Sequence, residues 1–344
     1  MTRSDQNDAK PLMTVNDIKV HYEVRNEAGE RVPLKAVDGV TFEVHRGQTV
    51  GIVGESGCGK STLGRALVHI EELAGGSIQL GGVQISDLSE REMLQYRRQL
   101  QMIFQNPQAS LNPRWKIGRS VQEPLRVHDN KSPEEQRASV LEQLDRVGLP
   151  YDIVDRYPHH LSGGQQQRVA IARALAASPD LVVCDEPVSA LDVSIQAQIT
   201  NLLVDIQAES GVAYVFIAHD LAVVRSISDV VLIMYLGKIV EKADSEVIFQ
   251  RPRHPYTLAL LSASPIPNAQ IERHRDRIIL AGDLPDPSNP PSGCRFRTRC
   301  SWARDLCTQV EPELRDVGDG HFVACHFHEE LADEAIRFLP WVDQ

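Results

Sequence analysis

A glycine-rich segment in the first third of the chain has the residue types and spacing that bind phosphate. It reads Gly54, Glu55, Ser56, Gly57, Cys58, Gly59, Lys60, Ser61 and Thr62. Glycines at these positions allow backbone N–H groups to close around phosphate oxygens. The Lys60 ammonium can reach the β- and γ-phosphates, and the Ser61 hydroxyl can bind Mg²⁺. The sequence therefore predicts a nucleoside triphosphate site; a glycine-rich turn without a ligand is the alternative.

The elements that must position this loop are also predicted. The apolar run Thr49–Val53 indicates a buried strand, and Leu63, Ala66, Leu67 and Ile70 would lie on one face of a following helix. A strand before the loop and a helix after it form the context in which this pattern binds phosphate. We therefore expect the helix N-terminus to add its positive dipole end to the site.

Two carboxylates follow a second apolar run. Residues 181–184 predict a buried strand, and Asp185 and Glu186 come directly after it. Ligands of open α/β sheets bind at the carboxyl ends of the strands. Asp185 can bind Mg²⁺ directly or through water, and Glu186 can orient or deprotonate an attacking water. The alternative is an acidic pair on the surface.

A third segment opens a predicted helix at 166–177 and consists of Ser162, Gly163, Gly164 and Gln165. Ser162 is a good N-cap residue, and the two glycines leave the backbone accessible to an anion. Alone, the segment could be only a capped helix start. Together with the phosphate loop and Asp185–Glu186, in this order, it resembles the ATP-binding-cassette family. There the segment is the family signature, which contacts the γ-phosphate bound to the opposite subunit.

Further residues acquire roles from this resemblance. Gln105 resembles the glutamine that contacts Mg²⁺ or the attacking water and links to a helical subdomain. His219 resembles the switch histidine at the γ-phosphate, and Asp192 lies in a segment like the one that lines the dimer interface. Tyr22 resembles the aromatic residue that stacks on adenine, although core packing is the alternative for an aromatic residue in a strand. The resemblance implies ATP and Mg²⁺ as cofactors and a pairing of two cassettes.

The C-terminal part of the chain extends the resemblance. His254-Pro255-Tyr256 and residues 289–294 are similar to the tail of oligopeptide and dipeptide importer ATPases. The implied function is ATP-driven peptide uptake by the F-type ATPase subunit of a bacterial permease. The implied partners are a related D-type ATPase, two membrane-spanning permease subunits and an extracytoplasmic binding protein. The alternative is a soluble cassette ATPase that acts on DNA or ribosomes.

Four cysteines lie close together in this C-terminal part: Cys294, Cys300, Cys307 and Cys325. Four thiolates could hold an iron–sulfur cluster or zinc, and reduced buried cysteines are the alternative. Spacing does not decide, because no Cys-x-x-Cys pair occurs among them. The resemblance favours a [4Fe–4S] cluster, because four cysteines bind one in related importer ATPases.

Composition limits the remaining functions. The chain has 344 residues, 42% of them hydrophobic, a net charge of −11 and a pI of about 5.6. An acidic chain is unsuited to broad nucleic-acid binding. No apolar run approaches the roughly 20 residues that span a bilayer, and the polar N-terminus lacks a signal-peptide core. We expect a peripheral protein on the cytoplasmic face of a bacterial cell membrane.

The predicted fold class is α/β, a P-loop cassette with a mixed β-sheet core. Residues 1–12 are expected to be disordered, 13–250 to form the nucleotide-binding domain with a helical subdomain at about 90–179, and 251–344 to form a small irregular cysteine-containing region. Strands are predicted at 15–24, 34–37, 40–44, 77–80 and 213–218. One helix between strands carries an apolar face formed by Ile195, Ile199, Leu202, Leu203 and Ile206.

Overall fold

The computed structural model describes residues 10–25, 29–128, 132–264, 277–280, 282–335 and 338. Its strands are β1 (Met13–Arg25), β2 (Arg31–Val44), β3 (Thr49–Val53), β4 (Gly75–Leu80), β5 (Val83–Gln84), β6 (Leu100–Ile103), β7 (Leu181–Asp185), β8 (Ala213–Ala218), β9 (Val230–Tyr235), β10 (Lys238–Asp244), β11 (Arg315–Asp316) and β12 (Phe322–Val323). The disorder predicted for residues 1–12 falls mostly on 1–9, which lie outside the described residues.

The α-helices are α1 (Lys60–Leu67), α2 (Glu90–Met93), α3 (Pro107–Ser110), α4 (Ile117–His128), α5 (Pro133–Arg146), α6 (Gly163–Ala176), α7 (Val193–Ser210), α8 (Leu221–Ile227), α9 (Ser245–Gln250), α10 (Pro255–Ala263), α11 (Asp305–Gln309) and α12 (His328–Ala335). Short 3₁₀ turns occur at Tyr151–Asp155 and Pro158–His160. Among the residues that the structure describes, no helix combines the length and apolarity needed to cross a bilayer.

The main sheet brings the predicted functional segments to one edge. Its strand order is β11-β12-β10-β9-β3-β8-β7-β6, and β9, β3, β8, β7 and β6 run parallel. Every residue of β3, β7 and β8 is buried, as expected for parallel strands covered on both faces. Because β3 and β7 point the same way, the loops that follow their carboxyl ends lie side by side.

The second sheet has the order β2-β1-β4-β5, with antiparallel pairs. The separate strands predicted at 34–37 and 40–44 are wrong, because both lie in the continuous strand β2. Gly39, at φ 91°, permits a local irregularity that the rest of the strand absorbs. Periodicity in a short window cannot separate such an irregularity from a turn.

Apolar periodicity predicted the buried helix faces well except at one position. In α7, Ile199, Leu203 and Ile206 are buried, and Ile195 and Leu202 pack against the same core. In α1, the side chains of Leu63, Ala66 and Leu67 are buried, but Ile70 is 49% exposed. The prediction for Ile70 is wrong because α1 ends at Leu67, with Val68 as its C-cap.

The segment predicted as helical contains a core strand. Helices α4, α5 and α6 pack together, with Val121, Leu125 and Leu144 in their shared core. The strand β6, which lies in the same span of sequence, instead pairs in parallel with β7 in the main sheet. The helices therefore extend from a strand that belongs to the nucleotide-binding core.

The C-terminal residues join the main sheet through a buried carboxylate and a short strand. β12 pairs with β10 at Glu241↔Val323 and Lys242↔Phe322. Glu241 is fully buried and accepts hydrogen bonds from the backbone N–H groups of Arg253 (2.6 Å) and His254 (3.1 Å). Its carboxylate also lies 2.7 Å from Nε2 of His321. These contacts hold the start of α10, and hence Tyr256, at a fixed place beside the core.

Candidate functional site

The phosphate loop lies between β3 and α1, as the sequence predicted. Gly59 is the N-cap of α1 and has φ 106°, a conformation in which a side chain is strained. A Cβ there would stand 2.0 Å from the carbonyl oxygen of Ala36. Only glycine fits this position. Because it has no capping side chain, the N–H groups of the first helical turn remain available to an anion.

Lys60 directs its ammonium group into the loop. Its side chain is buried, and Nζ donates hydrogen bonds to the carbonyl oxygens of Gly54 (2.8 Å) and Glu55 (2.9 Å). Cys58 packs its side chain into the core beneath the loop, where burial raises the pKa of the thiol. The loop therefore combines a fixed cation with glycine backbone, the chemistry that a polyphosphate requires.

Ser61 and Asp185 come together at the carboxyl ends of β3 and β7. The Ser61 hydroxyl donates a hydrogen bond of 2.8 Å to Oδ1 of Asp185, although the two residues are far apart in sequence. Burial raises the pKa of the Asp185 carboxyl. A hydroxyl and a carboxylate oxygen are hard donors, so the pair fits Mg²⁺, which keeps water ligands and binds few protein oxygens.

Three predicted residues meet at the Glu186 carboxylate. Nε2 of Gln105 donates a hydrogen bond of 2.8 Å to Oε2 of Glu186, and Nδ1 of His219 lies 3.6 Å from the same oxygen. The Glu186 side chain is 14% exposed. Its backbone has φ 45°, a left-handed conformation that is uncommon outside glycine. A partly shielded carboxylate held by two neighbours can orient a water molecule and accept its proton.

Some of the residues predicted to contact the nucleotide line one cleft above the loop. Tyr22, Gln105 and Glu186 line it together with residues 56–62. Tyr22 is 36% exposed, which leaves its ring accessible to a flat ligand. Pro287 also lines the cleft. No pattern in the sequence predicts Pro287 at this site, because its position depends on how the C-terminal segment packs on the core.

The predicted signature forms a capped helix start away from this cleft. The Ser162 hydroxyl accepts a hydrogen bond from the N–H of Gln165 (3.3 Å), and the Gln165 side chain accepts one from the N–H of Ser162 (3.1 Å). A Cβ on Gly164 would stand 2.9 Å from the Ile195 side chain, and Gly163 precedes it at the helix start. None of residues 162–165, all of them described, lines the cleft.

Asp192, which was predicted to line a dimer interface, caps a helix in the structure. It is the N-cap of α7 and accepts hydrogen bonds from the hydroxyl of Ser194 (2.7 Å) and the N–H of Ile195 (3.0 Å). These hydrogen bonds, that of Ser194 first, lower the pKa of the Asp192 carboxyl. The capped helix packs Ile195 against Gly164 of the signature, and Leu191 lies beside Gly163.

The four C-terminal cysteines line one small cavity, which we call the cysteine cage: Cys294, Cys300, Cys307 and Cys325. All four are free thiols. Burial raises the pKa of Cys300 to about 11 and that of Cys325 to about 12. The charges of the other three cysteines raise the Cys325 pKa further, which places all four within electrostatic range of one another.

The cage does not have the geometry of a site for a single metal ion. Within the described ranges, no three side chains of His, Cys, Asp or Glu are grouped closely enough to hold one ion. A zinc site, which brings its four ligands to about 2.0–2.3 Å from one centre, is therefore not preformed here.

Two family models match the chain. Residues 37–189 match the model described as ABC transporter, and residues 240–307 match the one described as oligopeptide/dipeptide transporter, C-terminal region. The second match covers His254-Pro255-Tyr256 and three of the four cage cysteines, up to Cys307.

Relatives of similar length exist in well-known bacteria. The chain is 49% identical over 319 residues to the putative oligopeptide transport ATP-binding protein YkfD of Bacillus subtilis, covering 92% of this chain and 96% of that protein. It is 50% identical over 318 residues to the dipeptide transport ATP-binding protein DppF of Escherichia coli, covering 92% and 94%.

Solved structures share the core. The dimeric post-hydrolysis structure of the ATP-binding cassette MJ0796, bound to ADP and Pi, superposes with a TM-score of 0.62 at 29% identity. The superposition covers 68% of this chain and 98% of that one.

Proposed function

Because the chain belongs to the ATP-binding cassette transporter family, we propose that it is the ATP-hydrolysing subunit of an importer for oligopeptides or dipeptides. It is an ATPase that uses ATP and Mg²⁺. The observation that carries the peptide assignment is the C-terminal match at 240–307, reinforced by about 50% identity to oligopeptide and dipeptide transport proteins. In the structure, Tyr256 of that C-terminal match contacts the phosphate loop through Glu55.

The residues at this site have different roles in ATP binding and hydrolysis. Lys60 and the N–H groups of the loop bind the phosphates. Ser61 and Asp185 would hold Mg²⁺, which neutralises negative charge on the phosphates. Glu186 accepts the proton of the attacking water. Gln105 and His219 position the Glu186 carboxylate. We propose that His219 also contacts the γ-phosphate. Tyr22 stacks on the adenine ring.

We propose that the ATP site is complete only when two cassettes associate. The cleft of this chain lacks its own signature, since residues 162–165 lie elsewhere in the described structure. We propose that Ser162, Gly163, Gly164 and Gln165 contact ATP held by a partner cassette, with Asp192 at the same interface. We propose a related but non-identical D-type ATPase as that partner. Binding of ATP would close the pair, and hydrolysis would reopen it.

The proposed complex contains further partners. Two membrane-spanning permease subunits would carry the peptide, and an extracytoplasmic binding protein would deliver it. The helices α3 to α6, which continue from β6 and Gln105, would transmit closure to the permease. We propose that the chain lies on the cytoplasmic face of a bacterial cell membrane. We retain 13–250 as the nucleotide-binding domain and 251–344 as the C-terminal region.

Isolation of the complex tests this assignment. The tagged chain would be recovered from native membranes in mild detergent, beside a preparation that carries the tag alone, and its partners identified by mass spectrometry. We expect two permease subunits and a second cassette ATPase. Recovery of ribosomal or DNA-associated proteins without a membrane subunit would contradict an importer and favour a soluble cassette.

We also propose that the cysteine cage holds a [4Fe–4S] cluster with a structural or regulatory role. The support is that four thiols line one cavity and that four cysteine thiolates are the usual ligands of such a cluster. The apolar neighbours Trp302, Phe327 and Leu331 would shield it from water. The cluster would supply electron-transfer chemistry, which ATP hydrolysis does not need.

Metal analysis of protein purified without oxygen tests the cage. We expect about four irons and four sulfides per chain, with visible charge-transfer absorption. Cys300→Ser should lose most of this iron, whereas Cys184→Ala, in the core strand β7, should keep it. Stoichiometric zinc, or no metal together with four reduced thiols, would overturn the proposal.

A further inference from the structure

Arg299 of the C-terminal region pairs with the phosphate loop across 244 positions of sequence. Its Nη1 lies 2.8 Å from Oε2 of Glu55, the first free position of the loop. The Arg299 side chain is 8% exposed and the Glu55 side chain 27%. A guanidinium this deeply buried requires a compensating charge, because removal of one member of a buried pair leaves the other uncompensated. Glu55 supplies it.

A second contact from the C-terminal region reaches the same residue. The backbone N–H of Glu55 donates a hydrogen bond of 2.8 Å to the hydroxyl of Tyr256, whose side chain is fully buried. Glu55 is therefore held at its main chain by Tyr256 and at its carboxylate by Arg299. Both holding groups belong to segments that follow the last parallel strand of the sheet.

The position of Glu55 matters because Lys60 touches it. The Glu55 carbonyl oxygen accepts a hydrogen bond from Lys60 Nζ (2.9 Å) and another from the N–H of Cys58 (3.3 Å). A shift of Glu55 would move the carbonyl that orients the ammonium and the backbone that must surround the phosphates. Glycine-rich loops have many accessible conformations, so an external anchor reduces the conformational entropy lost when ATP binds.

Arg299 is itself fixed by the segment that carries the cage. Its N–H donates to the carbonyl of Phe296 (3.0 Å), and the N–H of Cys294 donates to the carbonyl of Cys307 (2.8 Å). Phe296 packs edge-on against Tyr235 of the core strand β9, with ring centroids 5.2 Å apart. The guanidinium thus has a rigid support that does not depend on the loop it contacts.

We infer that Arg299 is a positioning residue for ATP binding: through Glu55 it holds the phosphate loop in the conformation that accepts ATP. The Arg299–Glu55 pair makes the C-terminal region part of the nucleotide site. The effect of the Arg299–Glu55 pair on ATP affinity depends neither on the transported solute nor on what occupies the cysteine cage.

A double-mutant cycle on the full-length chain tests the inference. Arg299→Met, Glu55→Gln and the double variant would be compared for the Kd of ATP by titration calorimetry, for kcat and KM, and for the thermal unfolding midpoint. We expect each single variant to weaken ATP binding about tenfold, with KM rising more than kcat falls. The double variant should bind no more weakly than either single variant, because both remove the same interaction.

Two further variants separate positioning from a general structural role. Arg299→Lys keeps the positive charge and should recover part of the lost affinity. Arg297→Met is a matched control in the same segment, because within the described structure the Arg297 side chain donates its hydrogen bonds to Ser292 and makes none to the phosphate loop. This variant should bind ATP normally. If Arg299→Met does not fold, Glu55→Gln and Arg299→Lys still report on the pair. Unchanged ATP affinity in folded variants, or additive losses in the double variant, would overturn the inference and leave the importer assignment intact.

Discussion

Replacing Glu186 by glutamine is expected to nearly abolish ATP turnover while ATP binding survives. Glutamine keeps the shape of the side chain and its contact with Gln105, which lies at 2.8 Å, but its amide cannot accept a proton from water. General-base catalysis contributes about 10²–10⁴-fold to a rate, so kcat should fall by about that factor. The measurement is phosphate release under saturating ATP, beside calorimetric binding of Mg²⁺-ATP.

The control for this variant is Glu142→Gln on the exposed surface of α5, which removes one carboxylate far from the cleft. It should hydrolyse ATP at the rate of the unmodified chain. Normal turnover in Glu186→Gln would show that another group accepts the proton. Loss of ATP binding together with turnover would instead show that the Glu186 carboxylate is needed to form the binding site.

Replacing Lys60 by alanine should remove most of the affinity for ATP. The ammonium is buried within the loop and is held by the carbonyl oxygens of Gly54 and Glu55 at 2.8 and 2.9 Å. A hydrogen bond to a charged group contributes about 1.5–3 kcal/mol, so loss of one such contact with phosphate raises the Kd for ATP ~10- to 100-fold. Calorimetric titration with ATP measures the change directly.

A lysine outside the cleft provides the comparison. Lys116 is half exposed and pairs with Asp155 at 2.8 Å on the surface of the helical part. Lys116→Ala removes one positive charge, as Lys60→Ala does, but Lys116 does not line the nucleotide cleft. This variant should therefore leave the Kd for ATP unchanged. An unchanged Kd in Lys60→Ala would contradict the role assigned to the loop, provided that its unfolding midpoint stays close to that of the unmodified chain.

Local chemistry made most of the ATP site predictable. The strand β3, the loop and the start of α1 follow one another directly, so their geometry depends on glycine conformations and apolar periodicity that the sequence displays. The same holds for Asp185 and Glu186 at the end of β7. Parallel strands present their carboxyl ends to one edge of the sheet. At that edge the structure joins Ser61 to Asp185 with a hydrogen bond of 2.8 Å.

By itself, then, the sequence determined the family, the ATP chemistry and the strand–loop–helix order around the phosphate loop. Only the tertiary structure decided that β2 is one strand, that Ile70 is exposed, and that the C-terminal region adds β12 to the main sheet. It alone brought Arg299 to Glu55. Ile70 is exposed because α1 ends at Leu67, whereas β12 and Arg299 make contacts that join segments far apart in the chain. Their partners are selected by packing and by compensation of buried charge, which leave no periodic signal in the sequence.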